Sequence, residues 1–444
     1  MTEHEIKLIS VEDAANTDFT EKRTDRQERI SWWKQSALRK GRALVVGAGA
    51  IGNELLKNLA LMGFGYVYVC DMDHISSSNL SRTVLFTAED IGKQKSVTAA
   101  KRYLEMCVEP LAAADVFDGD ICAQLGSGVF NHVDVVIGCL DNLQTRFEVS
   151  RRCNLMKVPY IDAGINELDW QLTSAHYPET GCWACSMSQK LADAAVNRER
   201  NSCDVTKKKN VSAGHVPTVQ VASSMVAGLQ AQEVVKHVTH SEWKKFNPGK
   251  ADDDPSAPPM ARFGGTHRFI GLTNEMFYTP FRPRASCYDH FSYDEVIPTG
   301  ISADWTLRQV FDYVRERFGG YHYLSLRGDS RYQKAAFVTT GRCRCCGKPI
   351  GIYKSQKVLT DADLYCNDCD HVENMLSGGI EKVCFYDTDD DVILDRTLLE
   401  IGVPRMHVIE MYDEDDPTKM LALELTADMP AQMPELWKRE NESK

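Results

Sequence analysis

Short runs of apolar and β-branched residues punctuate the first part of the chain: ALVV at 43–46, YVYVC at 66–70, VDVVIG at 133–138 and VPYIDA at 158–163. Between them lie stretches with helical character, such as NELLKNLALM and SVTAAKRYLEM. Strand-length apolar runs alternating with helical segments predict a mostly parallel sheet with helices on both faces. Residues 214–238 end in a long apolar run suited to a core helix or a subunit interface. NPGKADDDPSAPPM at 247–260 then breaks the pattern with Pro, Asp and small residues, as an exposed loop or linker does. Beyond it, FIGLTNEMFYTPF predicts a hairpin and DWTLRQVFDYVRERFG a helix.

At 444 residues the chain exceeds what one hydrophobic core usually supports. The expected organisation is an N-terminal segment at 1–40, a Rossmann-like doubly wound α/β domain at 41–292, a smaller α+β domain at 293–432 and a tail at 433–444. In the second domain, strand, turn, strand, helix and strand in order are compatible with a β-grasp fold interrupted by a zinc ribbon. A formal net charge of −12 disfavours broad nucleic-acid or anionic-membrane binding, which needs clustered Lys and Arg. No signal-like or membrane-length apolar run occurs, so a cytoplasmic protein is expected.

GAGAIG at 47–52 follows a predicted strand and opens a predicted helix. Gly47, Gly49 and Gly52 let backbone approach phosphate at a helix N-terminus, and Asp71 ends the next strand, where a carboxylate can hold a ribose. To that point NAD and ATP fit equally. Asn79 and Arg82 in SSSNLSR, with Lys95 in GKQKS, separate them, because phosphoryl chemistry needs cations where charge develops and hydride transfer does not. Asp141 in GCLDN sits just after an apolar strand, where a carboxylate can hold Mg²⁺ against phosphate oxygens.

VVGAGAIGNELLKNLALMGFG, DMDHISSSNLSR, GKQKS and GCLDN, in that order, resemble the adenylation domain of ubiquitin-activating enzymes and of the bacterial enzymes that adenylate sulfur-carrier proteins. The resemblance spans roughly residues 20–290. It implies ATP, Mg²⁺ and a ubiquitin-like protein substrate whose C-terminal carboxylate attacks the α-phosphate. By the same resemblance Asp71 is the ribose-binding acid, Asn79, Arg82 and Lys95 contact phosphates, Asp141 is the magnesium ligand, and Asp73 supports the phosphate residues or the metal. DRQERISWW is similar to the family's N-terminal segment, whose Arg reaches the other subunit's active site. Arg26 is the match, although Glu28 follows the Arg-Gln pair where the commonest form has Ile. A homodimer is implied.

Fifteen cysteines in a chain with no export signal suggest metal sites rather than disulfides. CRCCGKPIG and LYCNDC place Cys343, Cys346, Cys366 and Cys369 at zinc-ribbon spacing over 343–369, with Cys345 as a surplus thiol. GCWACS and ASCYDH supply Cys182, Cys185, Cys287 and His290; their resemblance to the two Cys-x-x-Cys pairs of the sulfur-carrier enzymes implies a Cys₃His zinc site. Cys203, between Arg198 and Arg200 on one side and Lys207–Lys209 on the other, has a setting that favours a thiolate. It lies in the expected crossover loop at about 186–214 and resembles the thioester-forming Cys of activating enzymes in position. Cys70, Cys139 and Cys153 adjoin apolar runs and are expected in the core.

The expected function is ATP-dependent activation of a ubiquitin-like protein, thioester capture on Cys203 and handover to a conjugating enzyme. The chain also looks similar to activating enzymes of bacterial ubiquitination-like systems, some implicated in antiviral defence. Two rivals stand: a sulfur-carrier adenylyltransferase without conjugation, and a non-catalytic scaffold subunit. The C-terminal domain is either a partner-docking module or a buttress for the adenylation core.

Overall fold

The structure, a computed structural model, describes residues 22–196, 218–287, 289–326, 337–369, 374–380, 382–384, 391–413, 415–416 and 418–442. β1 (Arg42–Val46), β2 (Tyr66–Cys70), β3 (Ala113–Phe117), β4 (Val135–Gly138) and β5 (Tyr160–Asn166) pair in parallel. β6 (Asp169–Ala175), β7 (Gly265–Ile270) and β8 (Glu275–Pro280) extend the sheet antiparallel, giving the order β3-β2-β1-β4-β5-β6-β7-β8. The sequence pattern exposes most of this, but β3 and β6 carry polar residues within them and are invisible to a search for apolar runs.

Alternation along the central strands divides the core in two. Val45, Val67, Val69 and Ile137 face helices α1 (Ala50–Met62), α2 (Lys95–Met106) and α4 (Gln220–Phe246). Leu44, Val46, Tyr66 and Tyr68 face the other layer, which includes α3 (Leu143–Met156). Each face buries its own apolar set, as a doubly wound sheet requires. Among the described residues no helix is long and apolar enough to cross a membrane.

Met406, Met429, Met433 and Leu436 join the second of these cores, so the C-terminal half supplies part of the layer over the first sheet. Residues 434–442, expected within a tail, instead form α6 (Pro434–Glu442). Buried Asp115 on β3 accepts the backbone N–H groups of Glu435 and Leu436 at 3.1 Å each, capping α6 onto the sheet edge.

The C-terminal half has a sheet of β9 (Ile297–Thr299), β10 (Tyr321–Ser325), β14 (Lys382–Cys384), β15 (Val408–Asp413) and β16 (Met420–Leu425), ordered β14-β10-β15-β16-β9. α5 (Leu307–Phe318) buries Leu307, Val310, Phe311 and Val314 in the core of this half. First and last strands pair in parallel, β9 with β16, as in a β-grasp; a second strand before the helix has no counterpart among the described residues. Between β10 and β14 the chain leaves to build a separate sheet, β12-β11-β13, from β11 (Phe337–Cys343), β12 (Pro349–Ser355) and β13 (Asn374–Ile380).

Candidate functional site

β1 and β4 lie side by side, with Val46 opposite Gly138, yet their chains cross to opposite directions of the sheet. That reversal of strand order opens a crevice at the carboxyl ends. The glycine loop enters it from β1. Gly47 has φ +99°, and a Cβ there would collide with the Cys139 carbonyl; a Cβ on Gly52 would collide with the Gly47 carbonyl. Glycine at both positions therefore lets the loop, the β4 end and α1 close on one another. Buried Asn53 fixes the loop from the helix, donating to Ala48 O at 2.7 Å and accepting from Leu85 N at 2.9 Å.

Asp71 joins the loop to the next strand end. Its Oδ2 accepts from Ala48 N at 2.7 Å and its Oδ1 from Asp73 N at 2.9 Å. Burial pushes this carboxyl above its ordinary range, against the pull of nearby Lys95 and of both backbone donors. Lys95, at the first turn of α2, pairs with Asp73 at 2.9 Å while its backbone N–H donates to Asp73 O. Asn79 and Arg82 lie on the adjoining turn: Asn79 accepts from Ser76 N at 3.0 Å, and Arg82 donates to Ser78 O at 2.7 Å. Gly47, Gly49, Gly52, Asp71, Asp73 and Lys95 thus form one contiguous group.

Asp141 follows β4 and is exposed at a cleft of about 340 Å³ that Arg146, Asp169 and Arg268 also line. An open carboxylate at a strand end could hold a hard cation. Arg146 and Asp162 were not singled out by the sequence reading. Arg146 on α3 pairs with Asp162 on β5 at 3.2 Å, and both are buried. Burial raises the Asp162 carboxyl to about 6, opposed by Arg146. The signal was an acid inside the apolar run VPYIDA. A larger cleft, about 760 Å³, lies between Gln124 and the β12 region and contains none of the predicted site residues.

Cys182, Cys185, Cys287 and His290 present ligand atoms all within 4.8 Å of one another. Cys182 Sγ lies 3.7 Å from Cys185 Sγ and 3.5 Å from Cys287 Sγ, close to the ~3.8 Å between sulfurs of a tetrahedral zinc thiolate site. Cys343, Cys346, Cys366 and Cys369 converge in the same way, with Cys346 and Cys366 3.8 Å apart. Both sets could hold a metal; Cys345 stands exposed beside the second. Burial drives the Cys70, Cys139 and Cys153 thiols far above their usual value, which leaves them protonated and unreactive. Arg26 is exposed on the short helix Asp25–Glu28. Cys203 lies outside the described residues.

Residues 23–260, which contain the glycine loop, Asp71, Lys95 and Asp141, match the ThiF family. The chain belongs to that family. Over 152 residues this ThiF-family chain is 35% identical to SUMO-activating enzyme subunit uba-2 of Caenorhabditis elegans, covering 34% of this chain and 26% of that one. Over 167 residues it is 32% identical to the sulfur carrier protein adenylyltransferase of Thermus thermophilus, covering 36% of this chain and 61% of the other. It therefore spans about a quarter of the first relative's length and about three-fifths of the second's. A crystal structure of E. coli MccB superimposes with a TM-score of 0.45 at 21% identity, covering 58% of this chain and 68% of the other.

Proposed function

We propose that the protein uses ATP to activate the C-terminal carboxylate of a ubiquitin-like protein. The observation that carries this reading is the grouping, within a ThiF-family domain, of the glycine loop, Asp71 and the Lys95–Asp73 pair at the carboxyl ends of the strands, with Asp141 following the neighbouring strand β4. Asp71 would hold the ribose, and the loop N–H groups with Lys95, Arg82 and Asn79 the phosphates. Asp141 would hold Mg²⁺, which when bound draws charge from the phosphate oxygens. A carboxylate oxygen of the substrate attacks the α-phosphorus, the bond to the β-phosphate oxygen breaks, and pyrophosphate leaves. Arg26, supplied by the second subunit of a homodimer, adds positive charge at that step. The Cys203 thiolate then attacks the acyl carbon, AMP leaves, and the thioester passes to a conjugating enzyme. Cys182, Cys185, Cys287 and His290, and separately the four ribbon cysteines, would hold zinc.

A sulfur-carrier reading ends at the acyl-adenylate and its conversion to a thiocarboxylate; the Thermus thermophilus relative, more fully covered than the SUMO-activating subunit, favours keeping it. The two part at Cys203. Incubation with MgATP and a ubiquitin-like protein, followed by intact mass under non-reducing conditions, should give a thiol-labile adduct that Cys203→Ala loses. AMP-linked substrate formed equally by both proteins, with no adduct, would remove the thioester step and leave adenylation for sulfur transfer.

A further inference from the structure

Arg146 and Asp162 form a buried ion pair outside the set assigned to ATP, with Arg146 lining the cleft at Asp141, and burying such a pair seldom adds stability over apolar packing. Its connections are specific. Asp162 Oδ2 accepts from the Trp183 indole N–H at 3.1 Å as well as pairing with Arg146, and Oδ1 accepts from the Tyr160 hydroxyl at 3.1 Å. Trp183 lies between Cys182 and Cys185, so the first metal cluster fixes its backbone on both sides; its ring packs edge-on against Phe147, centroids 5.3 Å apart. At the other end Arg146 Nη2 donates to Leu140 O at 2.5 Å and to Ala163 O at 3.0 Å. Leu140 immediately precedes Asp141.

We infer that the cysteine knuckle at 182–185 positions the Asp141 loop through the buried chain Trp183–Asp162–Arg146–Leu140 O. In this arrangement Arg146, Asp162 and Trp183 are positioning residues, and the knuckle sets the aim of the metal-binding carboxylate besides tying the chain together. The space around Asp162 is tight, while Arg146 also faces the Asp141 cleft. A Cβ on Gly138 would strike Asp162 and the Tyr160 hydroxyl, and one on Gly164 would come within 3.1 Å of the Arg146 guanidinium. Packed this closely on the Asp162 side, the groups leave little room to absorb a shift at the knuckle, which is passed toward the loop. Partners of this kind, one step removed from a metal ligand, orient it and typically change metal affinity about 10–100-fold when removed.

The inference rests on the reading of Asp141 as the Mg²⁺ ligand, and the test separates the two. Mn²⁺ binding in the presence of a non-hydrolysable ATP analogue is titrated by electron paramagnetic resonance for wild type, Trp183→Phe, Asp162→Asn and Asp141→Asn. Zinc content and melting temperature are measured on the same samples. Trp183→Phe keeps an aromatic ring against Phe147 and removes the N–H together with the five-membered ring. It should retain wild-type zinc and a single cooperative melting transition, lowered by the small cavity, and weaken nucleotide-dependent Mn²⁺ binding about tenfold. Asp162→Asn should weaken it at least as much, with the double variant no worse than Asp162→Asn alone. If Trp183→Phe disturbs zinc or folding, Asp162→Asn, which leaves every knuckle ligand in place, carries the test. Wild-type Mn²⁺ affinity in Trp183→Phe and Asp162→Asn, with Asp141→Asn impaired, overturns the relay and leaves the active-site reading standing. Wild-type affinity in Asp141→Asn overturns the assignment of Asp141, and the relay with it.

Discussion

The two four-ligand clusters share chemistry and differ in what they are joined to. Cys182, Cys185, Cys287 and His290 close a path between the end of β6 and the segment leading to β9, and Trp183 inside the knuckle reaches into the main core. Cys343, Cys346, Cys366 and Cys369 close only the chain between β11 and β13, with Cys345 and Cys346 exposed. The first cluster is wired to the main sheet and the second braces an insertion. Ligand spacing alone gives no hint of that difference, because spacing reports the ion and not the neighbours.

The strongest way to break this contrast is to remove one ligand from each. Cys185→Ser should lower the stability of the whole chain on the order of 5 kcal/mol, since metal binding at a site that unfolded chain lacks is itself folding free energy. Cys366→Ser should leave the main melting transition in place and raise amide exchange only over 337–380. Thermal unfolding with zinc analysis and hydrogen exchange checks both; equal losses of global stability would show that the ribbon is as deeply wired as the knuckle.

A second test concerns the boundary between the halves, where the C-terminal chain acts as part of the first domain. Leu436 is 1% exposed and packs in the core under β1 and β2, while Asp115 caps its helix. Leu436→Ala should cost about 3 kcal/mol, read as a lower denaturant midpoint for the N-terminal half. A change confined to the last residues would mean that α6 frays independently. Glu424 makes a second crossing: buried on β16, it lies 2.6 Å from His132 Nε2 and accepts from Asn131 at 3.0 Å. These bonds favour the buttress role for the C-terminal half.

Much of the glycine-loop site was legible because its residues are local in sequence. Gly47, Gly52, Asp71 and Lys95 sit next to strand ends that apolar runs announce, and loop geometry then brings them together. The relay was harder to read. Asp162, Arg146 and Trp183 come from β5, α3 and the turn after β6, and only packing makes them neighbours. Asp162 left a trace as a charge within an apolar strand; Arg146, one charged residue on a helix among several, left none. α6 was missed for a related reason: PELWKRENE has the composition of a solvated terminus, and its helix is held by Asp115, more than three hundred residues earlier.

The smallest expected effect separates the halves by pH. Part-buried His237 on α4 donates its Nε2–H to Asp134 O at 3.1 Å and packs edge-on against His176 and Phe263. Burial, reinforced by His176, lowers its imidazole from the ordinary 6.5 to about 4. Because the folded value is depressed, the unfolded chain binds the proton first, between about pH 6.5 and 4. The stability due to a neutral His237 is therefore complete above pH 6.5, falls as pH drops, and is gone below about pH 4. At pH 5.5 the loss should be about 1 kcal/mol, and His237→Phe should flatten that part of the profile. Hydrogen exchange at pH 5.5 and 7.5, corrected for intrinsic rates, should register the change in α4 and β4 while β15 and β16 keep their protection. Parallel loosening of both halves would mean that the boundary through Asp115 and Glu424 couples them into one cooperative unit, and the division drawn from the two cysteine clusters would then hold for metal binding alone.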